Sequence, residues 1–145
     1  MVKVVGIIRF LSIVLFLGIL GLVYAYLPVK VLLHENWAQM RIDRETFFYS
    51  VTGIFIIVNV SLSLVFALLR TRLSLLDEEK HAWIKALSPV INIYIVVLVG
   101  FVGVVNNPTH VSASSYAYLN FIGPLLVLIW LGGFVYLIVK GMKTA

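Results

Sequence analysis

The stretch FFYSVTGIFIIVNVSLSLVFALL, residues 47–69, has no charged side chain, and its reading decides the fold. As an α-helix at about 1.5 Å per residue it extends about 35 Å, against a bilayer hydrocarbon core about 30 Å thick. In lipid each peptide group must be satisfied within its own helix or in a closed barrel. A barrel strand alternates polar and apolar residues, and this stretch does not. It reads as a transmembrane helix.

Three further stretches read the same way. One covers about 4–27 and is stopped by Pro28. One covers about 84–105 and is stopped by Asn106, Asn107 and Pro108. The last covers about 118–139. The expected fold is all-α: an integral membrane four-helix bundle in one transmembrane domain, residues 1–145. Ser74 to Asp77 forms a capping pattern, so the third helix is expected to begin near Leu75, with Pro89 inside it as a kink site. The first stretch starts with Lys3, but its apolar run is longer than a signal-peptide core and Val23-Tyr24-Ala25 is a poor cleavage site. It is read as a retained span, with Arg9 about one turn inside and snorkelling to the headgroups.

The composition agrees. The 145 residues are 62% hydrophobic and 12% charged, against about 45–50% and about 25% in soluble domains. With no cysteine, disulfide frameworks, thiol catalysis and thiolate metal sites are excluded. The net charge of +5 comes from basic residues scattered in ones and twos. That lacks the dense face a nucleic-acid partner requires. Topology explains the charge better. Lys3, Arg9, Arg70, Arg72, Lys80, Lys85, Lys140 and Lys143 fall on one side, and only Lys30, Arg41 and Arg44 on the other. By the positive-inside rule the first side is cytoplasmic, which puts both termini inside (N-in/C-in). Trp83 and Trp37 suit interfacial belts on opposite faces, as do Tyr24, Tyr26, Tyr116 and Tyr118.

All six carboxylates, Glu35, Asp43, Glu45, Asp77, Glu78 and Glu79, lie outside the four stretches. This speaks against an ion pump, a charged channel filter or a proton-coupled exporter. No catalytic arrangement and no cofactor motif stands out, so the chain is not expected to be an enzyme. Inside the spans, Thr52, Asn59 and Ser63 share one helix face, and Ser88 and Asn92 share another. Ser63 and Asn92 lie at similar depth and are expected to pair, with Asn59 about a turn deeper. Asn59, Ser63, Ser88 and Asn92 thus read as interhelical contacts worth about 0.6 kcal/mol each. The sharper alternative is a polar site for a quinone, lipid or substrate. Gly18, Gly21, Gly100, Gly103, Gly132 and Gly133 are expected to let helix backbones approach. His34, Glu35 and His110 are the candidate metal ligands by chemistry, but no HxxxH or HExxH spacing joins them, and the expectation is no metal.

The most unusual segment is Pro28 to Phe47. Leu27-Pro28 ends the first helix, His34 and Asn36 follow, and Asp43 precedes the second helix. In these residues the first third of the chain resembles the N-terminal membrane domain of SdpI-type bacterial immunity proteins. The family's loop glycine, and its proline one residue before the histidine, are missing here. The resemblance implies a bacterial inner (cytoplasmic) membrane protein, with His34, Trp37 and Asp43 as outer-loop interaction residues. In size and layout the chain also resembles uncharacterised small four-helix bacterial membrane proteins.

The expected role is an accessory or structural subunit without catalytic chemistry. Its partners are the lipid bilayer and other membrane subunits or further copies of itself. One alternative is an SdpI-like sensor or immunity protein acting through the outer loop, 28–47. Another is a small transporter or lipid-substrate protein.

Overall fold

The computed structural model describes residues 2–33, 40–72, 78–107 and 118–143. Its elements are α1 (Val2–Tyr26), β1 (Lys30–Leu32), β2 (Arg41–Asp43), α2 (Arg44–Arg72), α3 (Glu78–Lys85), α4 (Leu87–Val105) and α5 (Leu119–Lys143). Four stretches are long and apolar enough to cross a membrane: Lys3–Tyr26, Arg44–Leu69, Glu78–Val105 and Phe121–Gly141. They pack together, so the chain is a multi-pass helical membrane protein.

The central helix is α4, which packs most broadly against α1 and α5. On α1 the inward side is set by Phe16, Leu20, Val23 and Leu27, whose spacings of four, three and four put them on one helix face. They meet Val31, Phe47, Phe55 and Val99 in the core. Phe16 and Phe55 stack face to face at 3.7 Å between centroids, joining α1 to α2. Because lipid is as apolar as these side chains, the association rests on packing contacts and polar bonds rather than on a hydrophobic drive. The large apolar residues on the outside, such as Phe10, Ile57 and Leu128, suit acyl-chain contact.

Three elements depart from expectation. The first connection holds an antiparallel hairpin, with Lys30 opposite Asp43 and Leu32 opposite Arg41. It lies outside the spans, where irregular backbone and short strands can be hydrated. Directly after it α2 begins at Arg44, a turn earlier than Phe47, with Glu45 in the first turn, where the helix dipole favours an acid. The third span is interrupted at Ala86, three residues before Pro89, whose ring nitrogen cannot donate to the Lys85 carbonyl. Ala86 N–H tightens the turn by reaching both the Ala82 and Trp83 carbonyls at 3.0 Å. The capping pattern of Ser74 to Asp77 falls outside the described residues.

Candidate functional site

Polar side chains converge between α1, α2 and α4. Asn92 is fully buried on α4, because its face of that helix meets α1 and α2. Its Nδ2 donates to Ser12 Oγ at 2.9 Å. Its Oδ1 accepts from Asn59 Nδ2 at 2.8 Å. Asn59 Nδ2 also donates to the Phe55 carbonyl at 3.0 Å, and Asn59 Oδ1 accepts from Ser88 Oγ at 3.3 Å. On α1, Ser12 Oγ donates to the Arg9 carbonyl at 2.7 Å. Arg9 closes the cluster with a 2.7 Å bond to Ser63 Oγ, and Ser63 donates to the Asn59 carbonyl at 2.7 Å.

The structure therefore brings Asn59, Ser63, Ser88 and Asn92 into one network, but not with the expected pairing. Asn92 takes Asn59, and Ser63 takes Arg9. The reason is that α1 contributes two polar groups of its own: Ser12 accepts from Asn92 on α4, and Arg9 donates to Ser63 on α2. Arg9, expected to snorkel to the headgroups, donates to the Ser63 hydroxyl, which gives a charge-assisted bond. Thr52 stays outside the network and bonds its own Phe48 carbonyl at 2.8 Å. The hydroxyls that bond a carbonyl three or four residues back satisfy their proton locally and keep their lone pairs for a neighbouring helix.

A second constellation stands at the hairpin end. Asn106 caps α4 and lies against β1. Its Oδ1 accepts from Leu32 N–H at 2.8 Å, while its Nδ2 donates to the Leu32 and Val102 carbonyls, both at 2.7 Å. One amide side chain thus acts as a third strand one residue long. On the other side Arg44 N–H reaches the Val29 carbonyl at 3.0 Å, and its guanidinium lies 4.8 Å from the Tyr24 ring centroid, a cation–π distance. Asp43 pairs with Lys30 at 2.9 Å across the hairpin. Both side chains are more than half exposed, so the pair adds little to stability. A cavity of about 560 Å³ between α1 and α4 lies below, lined by Ile19, Val23, Gly100 and Asn106 among others.

Trp83, expected in an interfacial belt, is hydrogen-bonded within the bundle. It faces α5, where Trp83 Nε1 donates to the Trp130 carbonyl at 3.0 Å and Trp130 Nε1 donates to the Trp83 carbonyl at 2.9 Å. The glycines divide. A Cβ on Gly133 would run into the Trp83 ring, and one on Gly123 into the Tyr94 ring. Gly103 faces Val23 at 3.0 Å, but Gly18, Gly21, Gly100 and Gly132 meet nothing within 4 Å. Among the described residues, nothing packs closely against those four. His34, Glu35, Trp37, Asn36, His110 and Tyr116 lie outside the described residues. Among the described residues no group of three metal-ligating side chains forms.

No family model, curated protein or solved structure matches the chain. Fold and site define its class in physical terms: a small four-span helical membrane protein with a hydrogen-bonded interior cluster and a capped hairpin at one end.

Proposed function

We propose that the chain is an accessory subunit of a larger bacterial inner-membrane assembly, holding neighbours in place and performing no chemistry of its own. The observation that carries this reading is how the interior polar groups are used. Asn59, Ser63, Ser88, Asn92 and Ser12 bond one another or nearby carbonyls, so they lock three helices in register. A closed network of this kind specifies one arrangement of helices. Extraction in a mild detergent, followed by native electrophoresis, tests the proposal. The expected result is a defined complex larger than the chain with its detergent belt. A lone monodisperse monomer overturns it.

A second reading has one observation in its favour. Asn106 and Arg44 hold the two strands of the hairpin from both sides. That suits a sensor or immunity protein acting through His34, Trp37 and Asp43, in keeping with the SdpI-type resemblance. Under this reading, replacing those three residues abolishes the phenotype at unchanged protein abundance. A fall in abundance that accounts for the whole effect counts against it.

A further inference from the structure

Within the polar cluster between α1, α2 and α4, only Arg9 carries a charge. It stands six residues after Lys3, where the first span begins, and Ser63 stands six residues before Leu69, where the second ends. At about 1.5 Å per residue both lie about 9 Å along their helices. The two spans, of 24 and 26 residues, extend about 36 and about 39 Å, so they overhang a hydrocarbon core of about 30 Å by a few ångströms at each end. The 2.7 Å bond from Arg9 to Ser63 therefore holds the guanidinium about 5 Å inside the hydrocarbon edge. A guanidinium is a fixed charge with several N–H donors in a planar fork. Ser63 is neutral and takes only one of them. Among the described residues no carboxylate lies within ion-pair distance of Arg9, and no nitrogen of Arg9 is both buried and unpaired. The remaining donors are thus reached from outside the bundle, where the neighbouring Ile8, Phe10 and Leu64 are exposed.

We propose that Arg9, held by Ser63, binds the phosphate of a phospholipid from the leaflet at the N-terminal end of α1. A charge in the hydrocarbon region pairs with an opposite charge, and no acidic residue of this chain stands at that depth in any span. The counter-charge then comes from outside the chain. About 5 Å below the edge, the guanidinium is shallow enough for a headgroup phosphate to reach by sinking locally. Two phosphate oxygens match the fork at once, and the exposed apolar side chains beside it suit the acyl chains of the same lipid. An acid on a neighbouring helix would carry the cost of its own burial, whereas the phosphate is already in the membrane.

The test is native mass spectrometry of the full chain, delipidated in a neutral detergent and titrated with dioleoyl-phosphatidylglycerol, with dioleoylglycerol, or with inorganic phosphate. The first two share their acyl chains and differ in the phosphate. The wild type is expected to hold the phospholipid about tenfold more tightly than dioleoylglycerol, as one charge-assisted pair would give. Arg9→Gln should make the two equal, while Lys3→Gln, on the exposed start of the same helix, should leave the preference intact. If Arg9→Gln does not fold, Arg9→Lys takes its place. It keeps the charge without the fork, and the preference should fall severalfold. Equal binding of the two lipids by the wild type overturns the proposal and leaves a partner helix's carboxylate as the counter-charge. A preference unchanged in the Arg9 variant, or lost in Lys3→Gln, overturns it too, since the phosphate would then sit elsewhere. So does inorganic phosphate binding as tightly as the phospholipid, because no lipid would then be needed.

Discussion

At the scale of single residues, Asn92 is where the bundle is most exposed to change. It joins α4 to α1 through Ser12 and to α2 through Asn59. Asn92→Leu breaks both bonds and leaves Asn59 and Ser12 short of a partner, at a cost on the order of 1–2 kcal/mol. Asn59→Leu combined with Asn92→Leu should cost less than the two single changes together, because each single change strands the other amide. Unfolding in mixed detergent micelles measures both, and strict additivity would show that the network is not coupled. Asn106 stands in a wetter place. Asn106→Ala frees Leu32 N–H and C=O, but water at the bundle end can replace the amide, so about 1 kcal/mol is expected. The sharper readout is faster hydrogen exchange at Leu32. Asn59, Ser63, Ser88 and Asn92 were visible in the sequence because polar groups stand out in apolar helices. Ser12 was not singled out, and Arg9 was read only as a snorkelling charge, although the two lie three residues apart on one face of α1. Their role depends on which residues of α2 and α4 stand opposite them, which no local pattern encodes. Asn106 read only as a helix stop, because its partner strand lies 74 positions away in sequence.

At the scale of elements, the seam between α4 and α5 shows what spacing alone leaves out. Six glycines at close-packing intervals looked alike in the sequence. The structure separates them by what stands opposite, and the glycine that seats Tyr94 was not among the six. Gly123→Ala drives a methyl into the root of the Tyr94 ring, which cannot yield without moving on α4. Overpacking of this kind costs about 1–3 kcal/mol. Gly132→Ala enters open space and should be neutral or slightly stabilising through helix propensity. Thermal unfolding of the two variants side by side tests the contrast, and equal effects would contradict the packing described. The interruption at Ala86 has a cause that was half legible. Pro89 announced a disturbance, but its position in the chain could not say that the tightened turn would offer the Trp83 carbonyl to Trp130. That exchange needs α5 beside α3, and Gly133 provides the space.

At the scale of the whole molecule, four long apolar helices were legible because length and hydropathy are local properties that the bilayer enforces. Their side-by-side order was not, since lipid-facing and partner-facing surfaces are equally apolar. Orientation rests on charge and can be tested with the chain's own composition. The structure gathers Lys30, Arg41, Arg44, Asn106 and Asn107 at the hairpin end, while Lys80 and Gly141 meet at the other. Eight of the eleven Lys and Arg residues belong to the latter end. On the hairpin side, Lys30 is engaged by Asp43 and Arg44 by Tyr24. The positive-inside rule counts basic residues near the spans, so the end with Lys80 is expected in the cytoplasm. With no native cysteine, a single introduced thiol reports without background. Met40→Cys, exposed just before β2, should react with a membrane-impermeant maleimide in intact cells. Glu79→Cys, at the start of α3 and exposed, should react only after the membrane is opened. The reverse pattern would invert the bundle, placing the hairpin in the cytoplasm.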